Sequence, residues 1–555
     1  MNSSRHWMLL ILVLVYYSGQ SQNPQDKAIW KYMHMLSADE LYNQTTVQTR
    51  IQSAAIPSAP VESLAEFEQM SGAVVSYPWG ITLDMISELS KKDTVYFVLN
   101  NTSDESAIKE RYKTSINLTR CKFILAAHDS YWIRDYGPMF TAGKDSIAIT
   151  DFSYNRNRPQ DDKMPQLLAS YYRFPYYFMN IIQTGGNYMT DGYGVAAASQ
   201  LVYNENTITK EQVCQQMKDY LGIQTYHVLA DPNNTYIDHI DCWGKFLDVD
   251  KVLIRSVPIT HPQYSKIEQV ADYFKTQKSS WGTNYQIIRV NTPNNEPYTN
   301  SFILNKKVYV PIMGTEWDNP ALEVYRKALP GYEVFGYKGD WYSTDAIHCR
   351  VHEMADRHMV RIKHTPIRGA QGNKTLFSIE ATIKAYSGKP LNSDSLLVYY
   401  KVNFGQWNTV KLSHSTENTY IAQLPLFEKD QTIEYYIYAT DQTGKRATQP
   451  LVGAIAPYVF STGDIFTESQ LLQRETEIKI YPNPVSDWLS ITTDENFQDE
   501  NLSIEIYSGN GQLLKRFSKL NTGNTLIDCR NLATGIYHLR VSTSSRCETF
   551  KVIKK

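Results

Sequence analysis

Four short stretches of this chain carry side chains that could do chemistry together. They are Asp129-Ser130-Tyr131-Trp132-Ile133-Arg134-Asp135-Tyr136, Gln183-Thr184-Gly185-Gly186-Asn187, Asp238-His239-Ile240-Asp241-Cys242-Trp243 and Asp345-Ala346-Ile347-His348-Cys349-Arg350-Val351-His352-Glu353. The paired glycines let the backbone approach another group closely. One chemistry that fits is metal binding, with His239 and Asp241 joined by Cys349 or by His348 and His352 at helical i,i+4 spacing. The glutamate that follows the first histidine in an HExxH helix is missing, and the chain has no CxxC pair. The other is cysteine attack on a planar cation. Asp135 and Asp241 can grip a guanidinium by paired charge-assisted hydrogen bonds. Its carbon is a poor electrophile with an amine leaving group, so it needs a strong nucleophile and a nearby acid. Cys349 supplies the thiolate, and His239 can protonate departing ammonia and then activate water.

Such side chains must be held by a rigid frame. From Glu62 to His364 short apolar runs alternate with helical patterns. Val74–Pro78, Thr94–Leu99, Phe123–Ala126, Ile147–Phe152, Val252–Arg255 and Val308–Pro311 read as strands, while Ile81–Leu89 and Tyr264–Thr276 have helical spacing. Alternation of this kind predicts an α/β domain of βαβ units over 62–364. The texture changes after Thr365. Leu396–Val402 and Ile433–Thr440 are β-rich with no helix between them, which predicts an immunoglobulin-like β-sandwich over 365–462. Residues 463–475 read as a linker, and 476–555 as a further all-β domain.

At the front, a short basic start and the apolar run Met8–Tyr17 precede Ser18, Gly19 and Ser21, the layout of a secretory signal over 1–21. That run is too short for a bilayer core, which takes roughly twenty residues. Residues 22–61 read as a leader, and no transmembrane segment is expected. The net charge of −2 argues against a nucleic-acid partner held by overall positive charge. Six cysteines in 555 residues exclude a disulfide-stapled mini-protein. With Cys349 a free nucleophile, at least one of the other five must also be unpaired. The 40 tyrosines suit half-wet sheet surfaces and polar clefts.

The last segment resembles the C-terminal sorting domain of the bacterial type IX secretion system. The resemblance rests on Tyr481-Pro482-Asn483-Pro484, Gly511-Gln512, Thr534-Gly535-Ile536-Tyr537 with Val541, and the basic terminus. It implies passage through that machinery, removal of the segment, and a secreted or surface-attached product.

The order W-x-R-D, G-G-N, H-x-D and a late cysteine resembles the guanidine-modifying superfamily of agmatine, arginine and peptidylarginine deiminases. The fuller strings, with Tyr236–Lys245, Pro297-Tyr298-Thr299-Asn300-Ser301 and Thr344–His352, are similar to the secreted, Porphyromonas-type peptidylarginine deiminases. This resemblance implies a five-bladed pseudo-symmetric α/β propeller with the site at its centre. It implies Cys349 as nucleophile, His239 as general acid/base, Asp135 and Asp241 on the guanidinium, Asn300 orienting and Trp132 walling the cleft. It also implies that Arg156 and Arg158, with Tyr236 beside them, hold the α-carboxylate of a C-terminal arginine. Asn157 stands where the family pattern has proline. Two arginines two residues apart point the same way on an extended segment. No metal or other cofactor is expected, calcium included. The expected partners are arginine-bearing peptides or proteins, and the expected reaction is arginine to citrulline through a thiouronium on Cys349. Two alternatives stand beside it: deimination of a small guanidine such as agmatine or free arginine, and a surface adhesin with a degenerate enzyme domain.

Overall fold

The computed structural model describes residues 55–463 apart from 373, 375 and 404, and residues 478–555 apart from 493–501, 521–523 and 543–546. The expected signal, most of the expected leader and the linker from 464 onward lie outside the described residues.

Among the described residues the α/β region holds five separate sheets built on one pattern. A strand pairs antiparallel with the next, and a helix then returns the chain to a parallel third strand. Met139–Ala142, Ile147–Tyr154, the helix Met164–Tyr172 and Tyr176–Gln183 make one such unit. Met189–Thr190, Val195–Ser199, Lys210–Leu221 and Thr225–Leu229 make the next. Gly244–Asp248, Lys251–Ser256, Tyr264–Thr276 and Gln286–Asn291 follow, then Phe302–Leu304, Lys307–Ile312, Asp318–Ala328 and Glu333–Lys338. The remaining sheet draws on both ends of the region. Met70–Ser76, the helix Leu83–Lys92, Thr94–Leu99 and Cys121–Leu125 form its parallel part, and the chain-late strand His352–Ala355 pairs antiparallel with Met70–Ser76.

Local chemistry explains these elements. Parallel neighbours need a crossover connection, and the helices supply it. Tyr264–Thr276 buries Ile267, Val270, Ala271 and Phe274, an i, i+3, i+4, i+7 stripe. Lys210–Leu221 starts with Thr209 and Gln212 in a capping box and stops at Gly222, whose φ of 71° suits a residue without a Cβ.

Beyond the α/β region the chain is β throughout. Val360–Lys363 begins one sheet with Ser378–Ala385, Thr419–Gln423 and Ser413–His414, so that sheet starts ahead of residue 365. A second, larger sheet centres on Thr432–Thr440 and Leu397–Val402, and Ile379, Ile383, Ile433, Tyr435 and Phe460 from the two share one core. The C-terminal domain packs two further sheets around Leu489, Ile491, Ile504, Leu539 and Val541. Its Tyr-Pro-Asn-Pro string has a structural role. The Asn483 amide donates to the Lys551 carbonyl at 2.6 Å and accepts from Ile553 N at 2.9 Å, tying the domain's first strand to its last.

Candidate active site

The chemistry-bearing stretches occupy one equivalent place in the repeated units. Each forms a short turn directly before the antiparallel strand that opens a unit. Asp135 lies in Ile133–Tyr136 ahead of Met139–Ala142, and Gly185–Asn187 lies ahead of Met189–Thr190. Ile240–Cys242 precedes Gly244–Asp248, Asn300 precedes Phe302–Leu304, and His348–Arg350 precedes His352–Ala355. Five turns from five sheets therefore supply one site.

Asp135, His239, Asp241, Asn300 and Cys349 are all buried. The Asn300 amide nitrogen donates to Cys349 Sγ at 3.3 Å, and its Oδ1 accepts from His348 N at 3.0 Å and Cys349 N at 3.4 Å. Cys349 Sγ lies 3.7 Å from Asp241 Oδ2, and His239 Nδ1 lies 3.7 Å from Asp135 Oδ1. The glycine pair has a steric reason. A Cβ on Gly186 would sit 2.6 Å from both Asp135 Oδ1 and His239 Nδ1, and one on Gly185 would sit 2.0 Å from the Arg134 carbonyl oxygen. Asn187 Oδ1 accepts from Ser199 N at 2.8 Å and from Ile240 N at 3.3 Å, which places the His239–Asp241 turn.

Burial and neighbouring charges set the electrostatics here. Burial pushes the Cys349 thiol well up, and the carboxylates of Asp241, Asp345 and Asp135 add to that. Both effects favour the protonated thiol of Cys349. Burial would push Asp241 up as well, but the imidazole of His348, 2.7 Å from its Oδ2, outweighs it and holds the carboxyl below its usual range.

The remaining expected residues divide. Trp132 is fully buried against Tyr131 and Arg158. Tyr236 is 53% exposed, with its hydroxyl 3.4 Å from Thr344 Oγ1. Arg158 is buried, its guanidinium 4.9 Å from the Trp132 ring, whereas Arg156 donates to the Asn155 carbonyl at 3.1 Å. The two do not lie on an extended segment. The chain leaves its strand at Tyr154 and bends, with Arg158 N donating to the Arg156 carbonyl at 2.8 Å. The helical spacing invoked for His348 and His352 also fails, because the first sits on a turn and the second opens a strand. Among the described residues no group of three or more His, Cys, Asp or Glu is arranged to hold a metal ion. Cys121, Cys214, Cys242, Cys349 and Cys529 are free thiols.

Other residues hold the cysteine turn without having been singled out by the sequence. Arg350 grips Asp345 with two bonds of 2.8 and 2.7 Å between the Tyr131 and Trp341 rings, and it donates to the Gly80 carbonyl at 2.9 Å. Arg134 pairs with Glu353 at 2.7 Å. The adjacency of Arg134 to Asp135, and of Arg350 to Cys349, was the available signal; the partners lie too far along the chain to be read from it. A cavity of about 340 Å³ lies elsewhere, against Tyr193, Asp248, Arg361, Arg368 and Tyr458.

Comparison with known proteins bears on both parts of the chain. The family model of Porphyromonas-type peptidyl-arginine deiminase matches residues 76–354, half of the chain, and that of the secretion system C-terminal sorting domain matches 479–555. A provisionally named agmatine deiminase of Mycoplasma mycoides is 22% identical over 259 residues, 38% of this chain and 71% of that protein. One of Vibrio parahaemolyticus is 24% identical over 249 residues, 37% of this chain and 69% of that protein. Among solved structures, the agmatine deiminase of Enterococcus faecalis is covered in full by 56% of this chain, with 17% identity and a TM-score of 0.48. The sorting domain makes this a secreted or cell-surface protein. No helix among the described residues is long and apolar enough to cross a membrane.

Proposed function

The chain belongs to the Porphyromonas-type peptidyl-arginine deiminase family, and on that premise we propose that it converts peptide arginine, preferably at a C-terminus, to citrulline. It is a deiminase of the guanidine-modifying family; the peptide substrate is the proposal. The observation that carries it is the delivery of Cys349, His239, Asp135, Asp241 and Asn300 by equivalent turns of the repeated units.

In this reading the guanidinium seats against Asp135 and Asp241. Its charge offsets the carboxylates that hold the Cys349 thiol protonated, so when substrate binds the thiol gives up its proton to His239 and the thiolate forms. Sulfur then bonds to the guanidinium carbon. The C–N bond to the terminal amino group breaks, His239 supplies a proton, and ammonia leaves a thiouronium on Cys349. Water enters, His239 takes one of its protons, the C–S bond breaks, and citrulline departs with the thiol restored. The sum is arginine plus water giving citrulline plus ammonia, written with no metal. We read the five sheets as blades of a propeller, 365–462 as immunoglobulin-like, and the signal and sorting segments as removed on export.

A small guanidine as substrate has one observation in its favour. The chain bends between Arg156 and Arg158, and the Arg158 guanidinium packs on the Trp132 ring, so the pair is not presented side by side on an extended strand. The test is turnover of peptides with one arginine placed at the C-terminus, internally or at the N-terminus, against agmatine, all with a chelator present. Turnover of agmatine alone, or a strict metal requirement, would overturn the proposal.

A further inference from the structure

We propose that Glu66 is a positioning residue that sets the turns bearing Cys349, Asp241 and Asn300 in register through His348. The idea rests on the deiminase reading for its catalytic consequence. Glu66 precedes the family match, which begins at residue 76, yet it reaches three parts of the site. Its Oε2 lies 3.0 Å from His348 Nε2 and 2.5 Å from Lys245 Nζ, and its Oε1 accepts from Ile303 N at 2.6 Å. His348 precedes the nucleophile, Lys245 lies four residues beyond Asp241, and Ile303 lies three beyond Asn300.

His348 is the hinge of this arrangement. Its Nδ1 lies 2.7 Å from Asp241 Oδ2 while Nε2 faces Glu66. Each of these contacts is a hydrogen bond whose direction the ring's tautomer sets. The ring therefore cannot rotate without abandoning one carboxylate, and Asp241 cannot swing without abandoning the ring. Around them stand Lys245, Arg134, Glu353, His352 and Cys349, and the Arg134 Nε donates to the His348 carbonyl at 3.4 Å. Burial would push Glu66 up, but Lys245 and His348 hold it well below the usual carboxylate range, so it serves as an anion. A neutral amide in its place would turn an N–H₂ group toward two donors, or leave one donor unanswered.

The test is ¹⁵N spectroscopy of the histidine rings in the full chain, with the His348 signal assigned by loss in His348→Gln, beside steady-state kinetics of Glu66→Gln. In Glu66→Gln the His348 Nε2 signal is expected to move from its native position, because the carboxylate it faces becomes an amide. With that change kcat is expected to fall roughly 10- to 100-fold, the scale of a small misplacement of reacting groups. Should Glu66→Gln fail to fold, Glu66→Asp replaces it, and native ring signals with native kcat in that protein overturn the inference. So does a folded Glu66→Gln protein with unchanged kcat or unchanged ring signals. The ring signals report whether or not arginine peptides prove to be the substrate, so failure of the deiminase reading stays separable.

Discussion

Lys401 of the sandwich is fully buried, meeting Glu505 of the C-terminal domain at 2.8 Å and Glu434 of its own sheet at 3.2 Å. Arg516 closes on Glu505 at 2.5 Å, and Arg540 pairs with Glu434. Three cations and two carboxylates from two domains thus satisfy one another. The catalytic turns bury charge just as deeply and to a different end. Arg134 answers Glu353, and Lys245 answers Glu66, while Asp135 and Asp241 together face a buried thiol. Burying a charge is costly until a partner offsets it. At the domain contact cations outnumber carboxylates; at the catalytic turns carboxylates gather around Cys349, and the proposed guanidinium would add the cation. A buried charge cluster therefore reads as a binding site where its negative members exceed the cations the fold supplies.

The comparison is sharpest at the nucleophile. Cys349→Ala should lower turnover by roughly 10⁴-fold or more while the fold persists, and Asp241→Asn by roughly 10³-fold, since preorganised charge is the main stabilising element of such a site. Steady-state kinetics decide this, and an Asp241→Asn enzyme with a tenth of native activity would mean the carboxylate does not receive the substrate.

The domain contact should respond in the opposite way. Glu505→Ala leaves Lys401, Arg516 and Arg540 short of a buried partner and should cost about 3–5 kcal/mol in denaturant unfolding of that contact, with kcat unchanged. A fall in kcat with no loss of stability would reverse the assignment of roles.

Acid should loosen both regions in a set order. Burial holds His352 of the catalytic region and His364 of the sandwich down at about 4, below the ordinary 6.5. The unfolded chain binds those protons first, so their contribution is full above pH 6.5 and is lost as pH falls through about 4. Glu353 follows: burial opposes ionisation, but Arg134 holds the carboxyl at about 2, so its share is present above 4.5 and is lost toward 2. Melting temperatures across this range should fall less steeply in His364→Gln, and an unchanged slope would show that the buried imidazole does not titrate. The smallest effect belongs to Arg156→Ala, expected to lower turnover of a peptide ending in arginine by about tenfold with agmatine unaffected, the scale of one exposed charge contact. Equal loss on both substrates would break the carboxylate assignment.

The strand Thr94–Leu99 and the helix Tyr264–Thr276 were legible residue for residue, because each is written in a local apolar period. Cys349, His239, Asp135 and Asp241 were singled out from compact strings of chemistry-bearing residues, and Asn300 from the family resemblance; the fold brings Asn300, Cys349 and Asp241 into contact. What the string could not carry was anything requiring two distant segments at once. The pairing of His352–Ala355 with Met70–Ser76, which places the cysteine turn, joins strands nearly 300 residues apart. Glu66 sits in none of the chemistry-bearing strings, and only the fold brings it to His348, Lys245 and Ile303. The arginines at 156 and 158 were misjudged in orientation because an i, i+2 rule holds only on extended backbone, and the chain bends after Tyr154. Residue types determine which reactions are available and local periods determine which elements form. The protonation of the thiol, the aim of the carboxylates and the matching of buried charges depend on desolvation and on distances of a few ångströms, and only the packed tertiary structure sets those.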